Sequence, residues 1–362
     1  MKVETKLLAT PQDIKPTVPS FRVRGILNPA GVRLPGGKIM LLARIAETPR
    51  HGEKYFLAPR FVGNGESRIV VDRILRHRGM VTPDSFVMED NIMRLPTISH
   101  FRKILLDESG MNVERISQSP DFIGRTEDGD FGVEDPRITP LKGRGYAMAY
   151  VSVSRSSGVS ASLAVSHDLA KWDRKGVIFR QQNKDVVIFP EKFNGCYVAL
   201  NRPEGTMIFD KPSIWLSYSK DLEFWGRDKP VMGPRKNCWD SLRIGAGTVP
   251  LKTGEGWLMI YHGVKFSKPN NPDAGKVYSA GAVLFHPSDP SRILARTPAA
   301  EPLFAPEHEF EMKGFVNKVV FPTAAIPDRD KKSLLVYCGA SDSNIEVKKL
   351  RTGEILNSLE WK

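Results

Sequence analysis

Glu134 and Asp135 stand side by side in FGVEDPRIT (131–139), ahead of Pro136, Arg137 and an apolar Ile-Thr. A proline after a carboxylate removes a backbone donor and holds the preceding residue extended, which fixes the acid at the mouth of a strand. Successive strand residues face opposite sides, so one acid is expected to face a channel and the other to pair with Arg137 or Arg44. A strand-opening salt bridge explains the pair as well as a proton donor does. Arg202 in ALNRPEG (199–205), Arg243 in NCWDSLRIGAGT (237–248) and His262 in WLMIYHG (257–263) are basic groups beside apolar runs, and Asp342 lies in YCGASDSNIEV (337–347). Singly, each has an ordinary reading: a surface arginine, a satisfied core histidine, a turn-capping aspartate. The IGAG glycines lack the strand–GxxxxGK–helix context of a phosphate loop and read as close packing.

Together these residues supply one strand-opening acid and two or three basic groups. Inverting hydrolysis of a glycoside needs two carboxylates, one to protonate the leaving oxygen and one to activate water. Attack by inorganic phosphate needs no base, because the nucleophile already carries its charge. It needs Arg, Lys or His to hold the anion. One acid with a cationic cluster therefore predicts phosphorolysis, and a second acid in place of the cluster predicts hydrolysis.

Residues so distant along the chain must be gathered by a repeating scaffold. A short strand, a Gly-containing turn and a second apolar strand recur as NPAGVRLPGGKIMLLARI (28–45), DPRITPLKGRGYAMAYVSV (135–153), FPEKFNGCYVALNRP (189–203), GAGTVPLKTGEGWLMIYHGV (245–264) and FPTAAIPDRDKKSLLVYCGASD (321–342). The turns PGGK, KGRG, FNG, KTGEG and PDRDKK carry hairpin chemistry. A second hairpin follows in SLAVSHDLAKWDRKGVIF (162–179) and WLSYSKDLEFWGRDKPVM (215–232), which share S-x-D-L-x-x-W. SAGAVLFHPSDPSRILART (279–297) is a looser version. Two hairpins per unit make a four-stranded sheet, and five units make an all-β, five-bladed β-propeller with a central active-site cavity. The expected organisation is a single domain over 1–362, with a long inter-blade excursion at about 46–134. In such a ring the residues that open or close the inner strands converge: Asn28 and Arg44, Glu134 to Arg137, Glu191 and Arg202, Arg243 and His262, Asp342.

Composition limits the chemistry further. The 53 Lys and Arg against 41 Asp and Glu leave a net charge of +12, which points to an anionic partner. No basic block or nucleic-acid motif accompanies it, so a compact anion such as phosphate fits and nucleic acid is not expected. No stretch has the length of a membrane span. Cys196, Cys238 and Cys338 are far apart, and the N-terminal residues hold no signal-like apolar run, so free thiols and a cytoplasmic location are expected. The scattered histidines give no metal site.

GVEDPRI, FPEKFNGCYVALNRP, WDSLRIGAGTVPLKTGEGWLMIYHGV and FVNKVVFPTAAI…LLVYCGASD resemble glycoside hydrolase family 130, from Asn28 to Asp342. That family contains β-mannoside phosphorylases and some β-mannosidases. The resemblance implies a five-bladed propeller and inversion at the anomeric carbon. It implies Asp135 as general acid, acting through a sugar hydroxyl. It implies Arg202, Arg243 and His262 on phosphate, and Asn28, Arg44 and Asp342 on mannose. Glu134, Arg137 and Asp240 complete the polar set expected around the sugar, and Asp240 and Glu191 are the acids available as a base should water be the nucleophile. Arg243 stands where a lysine is expected before Ile-Gly. Asn201 replaces a histidine of some members, and VYSAGAVLFH (277–286) lacks the arginine that often follows the tyrosine. The implied reaction converts a β-mannoside or mannooligosaccharide and inorganic phosphate into α-mannose 1-phosphate and the shortened sugar, without another cofactor. An inverting β-mannosidase and a non-catalytic glycan-binding propeller are the alternatives. Homo-oligomerisation through the loops is compatible with this reading.

Overall fold

The computed structural model describes residues 1–50, 54–63, 67–82, 85–180, 182–204, 209–268 and 271–361. Every hairpin turn named above is found between two paired strands. In FNG, Asn194 and Gly195 both have positive φ (49° and 78°), the requirement of a tight two-residue β-turn. Strand after strand then adds outward to form five antiparallel sheets.

The first blade runs outward through Phe21–Arg33, Ile39–Pro49, Ile98–Leu106 and Val113–Ile116. The second runs through Gly132–Leu141, Gly145–Ser154, Gly158–Ser166 and Asp173–Phe179. The third comprises Asn183–Ile188, Tyr197–Pro203, Ile214–Ser219 and Trp225–Met232. In the fourth, Arg243–Ala246 is followed by Trp257–Lys268, Asn271–Phe285 and Ile293–Arg296, with Glu360–Trp361 added at the outer edge. The fifth comprises Val320–Pro327, Ser333–Ala340 and Asn344–Arg351, and its outermost strand is the N-terminal Glu4–Ala9.

Apolar side chains alternate along these strands and fill the wedges between blades. Phe101 of the first blade packs with Met148 and Tyr150 of the second. Leu163 of the second packs with Ile188 and Tyr197 of the third. Leu216 of the third packs with Trp257 and Phe285 of the fourth. Leu284 of the fourth packs with Val336 and Leu350 of the fifth. Leu335 and Val347 of the fifth return to Ile39 and Leu41 of the first, which closes the ring. The molecule is the expected five-bladed β-propeller.

The shared S-x-D-L-x-x-W segments make one and the same turn between the third and fourth strands of consecutive blades. Ser166 Oγ accepts from the amides of Asp168 and Leu169, and Asp168 Oδ1 from those of Ala170 and Lys171. Ser219 and Asp221 repeat all four bonds. The leucine takes a positive φ in both (62° and 79°) and inserts into the inter-blade core. A strained leucine is tolerated because its burial and four satisfied amides offset the backbone cost.

The stretch 46–134 is less of an excursion than expected. Residues 98–116 supply the outer half of the first blade. A hairpin of Tyr55–Val62 with Arg68–Leu75 and a small sheet of Gly79–Val81, Phe86–Met88 and Met93–Arg94 make up the added structure. Residues 51–53, 64–66 and 83–84 of that stretch lie outside the described residues.

Candidate active site

Among the register breaks of the innermost strands, three hold a polar side chain in the left-handed region. They fall between Leu27 and Ala30, between Glu134 and Arg137, and between Lys184 and Val187. Asn28, Asp135 and Asp185 occupy these bulges with φ of 47°, 48° and 56°. Asn and Asp are the residue types that enter this left-handed region most readily, and a bulge re-aims its side chain off the sheet. Pro29 and Pro136 follow directly, where the ladder has no use for an N–H.

The bulge overturns the strict alternation expected of Glu134 and Asp135. Both carboxylates reach the same guanidinium: Arg44 Nη2 lies 2.7 Å from Glu134 Oε1 and Nη1 lies 3.2 Å from Asp135 Oδ1. Asn28 Nδ2 donates to the same Asp135 oxygen at 2.8 Å. Arg44 is anchored by a bond to Ser99 Oγ. Asp342, at φ 48° in the turn that ends the Ser333–Ala340 strand, completes the group. Its carboxyl is pushed up to about 6, first by removal from water and then by Asp135 and Glu134, against the pull of Arg44 and Lys184.

A second group lies across Arg137, whose charge is felt by Asp135 on one side and Asp185 on the other. Arg202 is buried, with Nη1 at 2.6 Å from Asp185 Oδ2 and Nη2 at 2.7 Å from Glu204 Oε1. Its Nη1 also lies 2.9 Å from His262 Nε2. Arginine only donates, so Nε2 accepts and the proton of the neutral ring sits on Nδ1. Burial, and the charges of Arg202, Arg243, Arg137 and Lys184, hold His262 far below its usual range. It is therefore a neutral donor and not one of the cations. Arg243 donates to the Tyr278 hydroxyl. Gly245 makes the cluster possible: a Cβ there would lie 2.2 Å from Asp185 Oδ2 and 2.7 Å from Arg202 Nη1. The IGAG glycines thus clear space for side chains as well as for packing. Next to this group a groove of about 830 Å³ between the third and fourth blades includes Glu204 and Arg243 in its lining.

Several buried atoms of this second group have no hydrogen-bond partner: Arg137 Nη2, Arg202 Nε, Arg243 Nε, His262 Nδ1 and Asp185 Oδ2. Such atoms are costly unless something else satisfies them, which marks the place of a polar ligand.

The remaining expected residues lie elsewhere. Asp240 is fully buried in the fourth blade and consumed by Arg235 (2.8 Å), Arg296 (2.7 Å) and the Tyr261 hydroxyl (3.0 Å). Tyr261 precedes His262 on the strand and so faces the opposite side, which takes Asp240 away from the sugar and from any role as base. Glu191 forms an exposed pair with Lys252 and follows the inner strand at the end opposite Asp185. Arg137 does not meet the sugar-side acids directly. Its Nε donates to the Gly247 carbonyl and Nη1 to the carbonyls of Asp135 and Pro136, so it braces the bulge. Asn201 bonds Ser217 and Asn183 within its blade.

Lys184, Asp185, Glu204 and Tyr278 were missed. Asp185 had a signal: KDVVIF (184–189) places an acid three residues before an Ile, as DPRI (135–138) does.

A family model described as beta-1,4-mannooligosaccharide phosphorylase matches residues 98–361. The chain is 32% identical to a beta-1,2-mannobiose phosphorylase of Listeria innocua, over 99% of this chain and 98% of that one. It is 37% identical to a 1,2-beta-oligomannan phosphorylase of Thermoanaerobacter, over 69% of this chain and 78% of that one. The solved Listeria innocua enzyme, in complex with beta-1,2-mannobiose, superposes with a TM-score of 0.84 at 30% identity and 99% coverage of both chains. With the propeller, the acid group around Arg44, the family match and the full-length likeness to the Listeria innocua enzyme in hand, the chain belongs to glycoside hydrolase family 130.

Proposed function

We propose that this protein is an inverting β-mannoside phosphorylase of the cytoplasm, acting on a β-1,2-linked mannobiose or oligomannoside. The observation that carries the reading is the second group. Arg137, Lys184, Arg202 and Arg243 bring four positive charges against the two of Asp185 and Glu204, leaving a surplus of two that matches a phosphate dianion. The β-1,2 preference follows the two relatives named for that linkage.

Asn28, Arg44 and Asp342 hold the mannosyl unit, with Glu134 fixing Arg44. Phosphate sits among Arg202, Arg243, Lys184 and His262 Nδ1–H, on the face of the anomeric carbon opposite the leaving oxygen. An unprotonated phosphate oxygen forms the new bond to that carbon as the glycosidic bond breaks. Asp135 delivers its proton, through a sugar hydroxyl, to the leaving oxygen, which departs as the free hydroxyl of the shortened sugar. Inversion follows from the single in-line displacement, and no base is needed.

The test is incubation with β-1,2- and β-1,4-mannobiose, with and without phosphate, measuring mannose 1-phosphate against free mannose. The expected result is mannose 1-phosphate from the β-1,2 substrate only when phosphate is present. Free mannose released at an undiminished rate in phosphate-free buffer refutes the proposal. Asp135→Asn, which keeps a residue suited to the left-handed bulge, is expected to lower kcat on the order of 100- to 10,000-fold with the fold intact.

A further inference from the structure

A carboxylate inside an anion site needs a reason. Asp185 is almost fully buried amid the cations proposed to hold phosphate. Its Oδ2 stands in ion-pair contact with Arg202 Nη1 at 2.6 Å and lies 3.5 Å from His262 Nε2. Yet that oxygen accepts no hydrogen bond. His262 Nε2 cannot supply one, because it already accepts from Arg202. The unpartnered buried atoms of this group comprise four donors, on Arg137, Arg202, Arg243 and His262, and two carboxylate oxygens, Asp185 Oδ2 and Glu204 Oε1. The Glu204 side chain is 20% exposed and lines the open groove, so Asp185 is the acceptor enclosed with the donors.

This is the complement of an anion that accepts several hydrogen bonds and donates one. Hydrogen phosphate has three unprotonated oxygens and one P–OH. Sulfate at neutral pH has four acceptors and no proton. Facing sulfate, Asp185 Oδ2 would meet a second oxygen with no hydrogen between them, a repulsive contact at the cost of an unmet buried charge. Repulsion of the wrong anion and a hydrogen bond to the right one then act at the same atom.

We propose that Asp185 reads the proton of the nucleophile: it accepts the P–OH of hydrogen phosphate and so selects phosphate, or the equally protonated arsenate, over sulfate. The proposal rests on the phosphorylase reading above and adds a selectivity residue to it. The proton held at Asp185 stays on phosphate during attack, because an unprotonated oxygen forms the bond to carbon. The ester is released with that proton and loses it to solvent, while Asp135 regains one.

The decisive measurement uses the unmodified protein. Binding of phosphate, arsenate and sulfate is measured by calorimetry without sugar, and sulfate inhibition of phosphorolysis is measured against phosphate. Sulfate is expected to bind on the order of 10- to 100-fold more weakly than phosphate, the worth of one charge-assisted hydrogen bond. Arsenate is expected to match phosphate and to give free mannose, because the arsenate ester hydrolyses spontaneously. In Asp185→Asn the amide can donate to any oxygen, so the phosphate-to-sulfate ratio is expected to collapse toward one. A merely structural role for Asp185 would weaken both anions equally. Sulfate competing as well as phosphate in the unmodified protein overturns the selectivity role even if phosphorolysis is confirmed. Mannoside cleavage that ignores phosphate altogether, with no phosphate heat, is the separate failure of the phosphorylase reading and takes this proposal with it.

Discussion

Replacing Asp342 by Asn should stabilise the protein at neutral pH while impairing it as an enzyme. Three carboxylates, Glu134, Asp135 and Asp342, share the field of Arg44. Two of them are in direct ion pairs with it, so the third is left with the poorest compensation. Its folded-state pKa of about 6 compares with about 3.9 for an unfolded aspartate. The folded protein therefore holds the proton more tightly. Asp342 costs no stability below pH 4, where both states are protonated. The cost grows as pH rises and is complete above pH 6. Two pKa units correspond to about 3 kcal/mol at pH 7 to 8. For a chain of this length that is roughly 4 °C in Tm. Asparagine removes the charge and keeps a residue suited to the observed φ of 48°. Urea unfolding of both proteins from pH 4 to 8 measures the difference directly. The variant's advantage should appear between pH 4 and 6 and level off above. A difference that is independent of pH, or a variant less stable at pH 8, refutes the electrostatic argument. Mannoside KM should rise in the same variant, because the carboxyl is lost from the sugar side.

Two further perturbations probe the cationic group. Arg202→Met leaves Asp185 and Glu204 unpaired, so denaturant unfolding should show a loss of about 3–5 kcal/mol, the usual result of removing one partner from a buried ion pair, together with a raised phosphate KM. Gly245→Ala places a methyl 2.2 Å from Asp185 Oδ2 and 2.3 Å from the His262 ring; initial-rate kinetics should show phosphate KM raised roughly tenfold or more, in line with a lost charge-assisted hydrogen bond, while mannoside KM changes little.

The ring of blades was legible because it is made of local signals repeated. Turn residues and the S-x-D-L-x-x-W segments state their geometry within seven residues, and the structure repeats it bond for bond in two blades. The structure gathers Asn28, Arg44 and Asp135 into one group and Arg202, Arg243 and His262 into the next because each borders an apolar strand at a matching position. What escaped depends on breaks in regularity. A one-residue bulge turned Glu134 and Asp135 toward a common partner, and no alternation rule anticipates it. Asp185 was hidden in an apolar run until the same bulge placed it level with Asp135. Asp240 was expected around the sugar, or as a base should water be the nucleophile, because nothing in the sequence shows the partners that bury it. Arg235 and Arg296, the latter distant in sequence, claim it instead. His262 looked cationic until its burial among four positive side chains made the neutral form the only affordable one.

The first strand of the chain, Glu4–Ala9, lies against Asn344–Arg351, and Thr5 Oγ1 receives a hydrogen bond from Lys348 across 343 positions. On the ribosome, Glu4–Ala9 must therefore wait for a strand more than 300 positions later to be synthesised before it can pair. Until then the fifth blade is one strand short and the wedge between Leu335 and Ile39 is unfilled. Long-range closure of this kind slows folding and leaves a sheet edge open to other chains in the interval. A bulky insertion next to Glu4–Ala9 would burden that late step more than the same insertion placed on an exposed turn such as Lys142–Arg144.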